Sequence, residues 1–239
     1  MYLATDQLFN QAAYWYYMFG GRQNVPITVR ACISRAYGQG AQHSQSPISI
    51  YTHIPGLKVV CPATPYDATG LLVSAVRDDN PVMYIDDAWL YLLEEEVPDD
   101  LYEVPLGKAA VCRQGSMITI VGISYLLHEA MLAAGQLAQE GIDVEVIDPR
   151  TLKPFDFETV VQSVKKTGRL LVAEPDFPVS GFGSYICQAV TEELFSQMKS
   201  APACITFPDL PASASHVLED AYYPSHEDIL KRVRGILSG

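Results

Sequence analysis

The chain has 239 residues, 49% of them apolar, which is enough to bury the core of one large domain or two modest ones and argues against disorder. Its 16 basic and 28 acidic residues leave a net charge of −12, which argues against a nucleic-acid backbone or an anionic membrane as a partner. No apolar run is long enough to span a bilayer, and Met1 to Gly21 lacks a basic start, so neither an anchor nor a secretory leader is expected.

The chain opens on a helix-spaced stretch, Ala4 to Phe19, with Leu8, Ala12, Tyr16 and Phe19 at helical intervals. Strand-like runs rich in Val and Ile follow at Val25–Ile33, Leu57–Ala63 and Pro81–Ile85. Between the last two lies a helix from Asp67 to Arg77, entered through Thr64-Pro65, with Ala68, Leu71, Leu72 and Ala75 on one face. After Glu94-Glu95-Glu96-Val97-Pro98-Asp99-Asp100, an acidic stretch read as a solvated linker, strands are predicted at Met117–Ser124, Val144–Ile147, Arg169–Ala173 and Ala203–Phe207. Helices alternate with them: Leu127–Glu140 stopped by Gly141, Asp156–Lys166 ending in Lys165-Lys166-Thr167-Gly168, Ser184–Met198, and His226–Leu237. Strands alternating with helices predict an α/β fold with mainly parallel sheets, divided into a first unit at 1–93, a linker at 94–108 and a second unit at 109–239. The first unit looks incomplete because no strand precedes its opening helix.

The cysteines, at 32, 61, 112, 187 and 204, are separated by 29, 51, 75 and 17 positions, which is not metal-ligand spacing and reads as reduced thiols of the cytoplasm. There is no nucleophile elbow, zinc-protease signature or phosphate loop.

Two stretches are unusual. Gly38-Gln39-Gly40-Ala41-Gln42-His43-Ser44-Gln45-Ser46 lets the backbone bend round a ligand or another chain and presents a histidine, two glutamines and two serines; a solvated loop with a cap at Ser44 or Ser46 accounts for it as well. Ala75-Val76-Arg77-Asp78-Asp79-Asn80-Pro81-Val82 ends a helix and begins a strand, leaving carbonyls that either a cation or an ordinary Asp/Asn/Pro turn satisfies.

At these stretches the chain resembles the beta subunits of thiamine-diphosphate-dependent 2-oxo acid dehydrogenases, the decarboxylating component of the pyruvate dehydrogenase type. The resemblance runs nearly end to end. It includes Asp6-Gln7 with Asn10-Gln11-Ala12-Ala13, Tyr17-Met18-Phe19-Gly20-Gly21, Ala41 to Ser46, His53-Ile54-Pro55-Gly56-Leu57-Lys58-Val59-Val60, Arg77 to Val82, Pro105-Leu106-Gly107-Lys108-Ala109 and Val146 to Pro154. It implies a transketolase-like fold, a partial pyrimidine-binding domain followed by a transketolase C-terminal-type domain.

The resemblance also assigns roles. His43 matches the active-site histidine that donates a proton or hydrogen bond near the thiazolium. His53, His128, His216 and His226 lack such support and read as packing, capping or surface residues. Ile27, Ala75, Val76, Asp78 and Asn80 match a potassium site built mostly of main-chain oxygens. The family's cofactor-binding glutamate and stacking aromatic fall upstream of the position matching Met1. The chain then stands as a fragment, as a piece completed by another chain, or as a degenerate relative, and inactivity in isolation is expected.

In the family a Gly-Asp-Gly motif holds the diphosphate and magnesium; none occurs in this sequence, so the resemblance implies an alpha-type subunit that holds them. The run Tyr14-Trp15-Tyr16-Tyr17-Met18-Phe19 suits a subunit contact, or else a helix buried all round. A second beta chain, a small 2-oxo acid and a lipoyl domain complete the expected partners, with oxidative decarboxylation and acyl transfer to lipoyl as the expected function. Between Arg30 and Gly40, Ser34 and Ala36 stand where relatives carry more glycine, so a stiffer loop is expected. The alternative reading is a non-catalytic assembly or interaction protein that retains the fold.

Overall fold

The computed structural model describes residues 2–33 and 38–238. The stiffness expected of the loop carrying Ser34 and Ala36 falls outside the described residues. The predicted first helix is three pieces in line: a 3-10 turn at Tyr2–Ala4, a π-helical segment at Gln7–Ala12 and α1 at Ala13–Met18. The other helices are α2 (Ile48–His53), α3 (Pro65–Arg77), α4 (Tyr125–Gln139), α5 (Phe157–Thr167), α6 (Phe182–Leu194), α7 (His216–Tyr222) and α8 (His226–Ser238). The strands are β1 (Thr28–Ile33), β2 (Lys58–Val60), β3 (Val82–Asp87), β4 (Ala110–Arg113), β5 (Ile118–Gly122), β6 (Val144–Asp148), β7 (Thr151–Lys153), β8 (Leu170–Ala173) and β9 (Ala203–Ile205).

Two sheets form, in the orders β1-β3-β2-β7 and β4-β6-β5-β8-β9. Both are parallel except at one edge, where β7 runs against β2 and β4 against β6. The central strands β3, β5, β6 and β8 are buried at every position, as strands covered on both faces must be. Helix ends follow their local chemistry. Thr64 Oγ1 accepts the Asp67 N–H at 3.1 Å with Pro65 in the first turn, and Gly168, at φ +74°, closes α5.

Glu95 departs from its expected role. The 94–96 run is exposed, but Glu95 Oε2 accepts the Tyr66 N–H at 3.0 Å, because the first N–H groups of α3 have no partner within the helix. Further along, Val104 is buried against α3, where its carbonyl accepts the Ser74 hydroxyl at 2.7 Å.

The two sheets share one core. Ile48, Tyr51, Met83 and Ile85 belong to the same buried cluster as Ile147, Leu152, Val160, Leu170, Val172 and Ile186. β7 lies beyond residue 150 yet completes the first sheet, with Val59 opposite Lys153. Arg150 donates its N–H to Asp148 Oδ1 at 2.8 Å, while its guanidinium pairs with buried Asp67 at 2.9 Å. The aromatic run on α1 is not buried all round: Tyr17 is 88% exposed and Tyr16, Met18 and Phe19 also face outward, while Tyr14 and Trp15 are half-buried.

The turn at Gly56 (φ +82°) lies against α1 so closely that a Cβ there would fall on the Ala13 carbonyl oxygen. Gly56→Ala is expected to destabilise the fold by at least about 2 kcal/mol, read as a lower urea midpoint at unchanged slope.

Candidate functional site

In parallel α/β sheets, ligands gather at the carboxyl ends of the strands, where successive loops splay apart. One hollow at such a place here, with a volume of about 480 Å³, is lined by loops from both units. The loop after β1 supplies Gln42, Ser44, Gln45 and Ser46; the segment after β8 supplies Asp176 and Phe177; the segment after β9 supplies Leu210 and Ala212. Both units therefore build it.

The 38–46 loop is pinned by the second unit. Gly38 (φ +79°) donates its N–H to both carboxylate oxygens of buried Glu219, at 3.3 and 3.2 Å. A Cβ on Gly38 would come within 2.8 Å of the Ala214 carbonyl oxygen. The close approach these glycines allow is thus to the chain's own later segment. His43 sits in the turn that follows, its N–H on the Gly40 carbonyl at 3.3 Å, with its ring exposed. Its neighbours on both sides line the hollow. The hydroxyls of Ser44 and Ser46 are buried there and have no hydrogen-bond partner among the described residues. Neither serine is a helix cap: α2 begins at Ile48 after Pro47.

Acidic groups underlie this end of the strands. Asp176 accepts the Ser49 N–H through Oδ2 and the Phe177 N–H through Oδ1, both at 2.8 Å, and burial raises its carboxyl above the ordinary range against those bonds. Burial pushes Glu174 up to about 8; its Oε2 accepts the Gly183 N–H at 2.8 Å, and its Oε1 has no partner among the described residues. Burial likewise lifts Asp87, at the end of β3, to about 6 and Asp148, at the end of β6, to about 7. Asp87 is partly compensated by the Trp89 N–H at 2.9 Å and the Ser124 hydroxyl at 3.1 Å. None of these carboxyls is singled out by sequence; the signal that could have found them is the repeated acidic residue at the end of an otherwise apolar strand, as in Val144–Asp148 and Leu170–Glu174.

The second candidate stretch also comes together. Ile27 precedes β1, Ala75 and Val76 form the last turn of α3, Asp78 caps it, and Asn80 leads into β3. Thr28 Oγ1 donates to the Ala75 carbonyl at 2.9 Å, and Val82 N–H to the Ile27 carbonyl at 2.9 Å. The Asp78 carboxylate is taken by the Lys58 ammonium and, at 2.8 Å, by the Asn80 N–H. The five residues thus meet at one corner, where the Ile27 and Ala75 carbonyls already accept hydrogen bonds and the Asp78 carboxylate is already neutralised. Of the other histidines, His128 Nε2 lies 2.6 Å from the Ala63 carbonyl and joins α4 to the first unit, His226 sits on Glu129 at 3.0 Å, and His53 and His216 are exposed.

Known proteins resemble the chain along its whole length. The family model described as "Transketolase, pyrimidine binding domain" matches residues 2–85, and "Transketolase, C-terminal domain" matches residues 107–229. The acetoin:2,6-dichlorophenolindophenol oxidoreductase subunit beta of Cupriavidus necator is 42% identical over 239 residues, covering 100% of this chain and 71% of that protein. The mitochondrial pyruvate dehydrogenase E1 component subunit beta of Caenorhabditis elegans is 42% identical over 240 residues, covering 98% of this chain and 68% of that protein. Among solved structures, a split-gene transketolase described as an inactive beta4 tetramer superposes with a TM-score of 0.82 at 23% identity, covering 99% of this chain and 72% of that one, a likeness of fold.

The raised carboxyl of Glu174 gives a pH signature. The folded state holds its proton to about 8, the unfolded chain releases it near 4.5, and so the stability associated with this group is complete below 4.5 and is lost as pH rises towards 8. Glu174→Gln should flatten the fall in Tm across that window, so that the difference between the two proteins shifts in favour of the variant as pH rises; calorimetry at stepped pH checks it.

Proposed function

The chain belongs to the transketolase-fold family of beta subunits of thiamine-diphosphate-dependent 2-oxo acid dehydrogenases, and from that premise we propose that it serves in the oxidative decarboxylation of pyruvate or a related small 2-oxo acid, with acyl transfer to a lipoyl domain. What carries this reading is the match to such beta subunits at 42% identity across the chain. The same matches do not favour a non-catalytic assembly protein. Because one relative is named for acetoin, that compound belongs beside the 2-oxo acids among the substrates to be tried.

Thiamine diphosphate, when bound, supplies an acidic thiazolium carbon as nucleophile and an electron sink for the bond that breaks. This chain offers the other side of the compartment. The paired bonds from Gly38 to Glu219 hold the 38–46 loop in place, and the unpartnered hydroxyls of Ser44 and Ser46 suit a polar guest. The exposed ring of His43 is the group we assign to donate a proton or hydrogen bond to the substrate oxygen as charge develops there.

The diphosphate and its magnesium fall to an alpha-type subunit, docked with a second beta chain into a larger assembly; the outward-facing Tyr16, Tyr17, Met18 and Phe19 suit such a contact. Potassium at the main-chain oxygens of Ile27, Ala75, Val76, Asp78 and Asn80 would brace the end of α3 against the start of β1, and so the loop that β1 feeds. No helix is long and apolar enough to cross a membrane among the described residues, and with sparse, unpaired cysteines we place the protein in the cytoplasm.

The test is reconstitution with an alpha-type subunit, thiamine diphosphate, magnesium and the upstream segment that the relatives carry. Release of carbon dioxide from a 2-oxo acid is expected; failure with every 2-oxo acid while cofactor is bound would overturn the reading. In the active assembly His43→Ala should lower kcat by about 10²–10⁴ with an unchanged circular-dichroism spectrum.

A further inference from the structure

Cys187 on α6 and Cys204 on β9 stand 17 positions apart with no motif joining them, and the fold brings their sulfurs to 3.5 Å. Both are free thiols, each half-buried. Cys204 is the reachable one. It borders two adjoining surface hollows of about 580 and 670 Å³, and Cys187 lines neither. The smaller hollow is also walled by Ile205, Asp228, Lys231, Arg232 and Gly235, so two cations flank the approach to the sulfur with one carboxylate among them.

We propose that Cys187 and Cys204 form a two-cysteine oxidation site, entered at Cys204 by a small anionic disulfide of the glutathione type and closed by Cys187. The Cys204 sulfur attacks one sulfur of the incoming disulfide. The old sulfur–sulfur bond breaks, and one small thiolate leaves. Cys187 then gives up its proton, its sulfur attacks the Cys204 sulfur, and the second small thiolate departs. Two protein thiols lose two electrons and two protons; the small disulfide gains them and becomes two thiols. The protein sulfurs must close from 3.5 Å to about 2.05 Å, a shift on the scale of a side-chain rotation.

The electrostatics agree with that order. The hydrogen bond from Cys187 lowers the Cys204 thiol below its usual range, against the effect of burial, and Arg232 lowers it further. Cys187, bonded to Cys204 and buried, is pushed far up and remains a thiol until the second step. The new bond would fasten β9, a three-residue strand that among the described residues pairs with β8 alone, to the helix that precedes it.

The experiment is peptide mapping of the full chain without reduction, after exposure to glutathione disulfide and alkylation of the remaining thiols. A linked Cys187–Cys204 peptide, lighter by two hydrogens and reopened by dithiothreitol, is expected. Cys187→Ser should stop at a glutathione adduct on Cys204, and Cys204→Ser should leave Cys187 unreacted. Arg232→Gln should slow the first step about threefold at low salt. Modification confined to the exposed Cys32 and Cys112, or unimpaired reaction of Cys187 in the Cys204→Ser chain, would overturn the proposal.

Discussion

The bond on which the site depends is the one between the Ser49 N–H and the Asp176 carboxylate. It ties the start of α2, in the first unit, to the turn after β8, in the second. A carboxylate this deep is costly to desolvate, and it persists because two backbone N–H groups converge on it. The 38–46 loop is then held at both ends by carboxylates of the second unit, Glu219 at Gly38 and Asp176 just beyond Ser46. Neither unit alone defines the position of His43.

The same dependence governs the sheets. β7 belongs to the second half of the chain but pairs in the first sheet, and the apolar cluster beneath runs through both sheets without a break. An interface this apolar differs from the polar contacts that let domains slide past one another. The two halves are therefore one mechanical body around the strand ends, which is the rigidity that loop-borne chemical groups require.

Much of this was legible in the sequence. Val- and Ile-rich runs marked every long parallel strand, and Thr64-Pro65 and Gly168 marked a helix start and a helix stop. The pieces that stayed hidden are short or context-dependent. α2 has six residues and no cap signal, and β7 has three residues inside a Pro-Arg-Thr-Leu-Lys-Pro stretch whose strand character comes from pairing with β2. β4 is an exposed edge with too little alternation to announce itself. Of the site, the Gln42 to Ser46 loop stood out by composition. Asp176, Glu174 and Glu219 did not, because an isolated acidic residue in sequence carries no sign that folding will bury it. Glu95, read as solvated, shows the converse: a helix end creates a use for a carboxylate that its exposed, charged surroundings conceal.

The placement of β7 also sets a timetable for synthesis. Val59 and Lys153 are paired across the edge of the first sheet, with the rest of the first unit, the linker and the opening third of the second unit between them in the chain. At about 5–20 residues per second, a ribosome would take on the order of 5–20 s to deliver the second after the first. Throughout that interval the nascent first unit presents the bare edge of β2, an apolar strand open to pairing with whatever other strand is near. A chain built this way gains from a chaperone or a partner subunit that shelters its earlier half until the later half arrives.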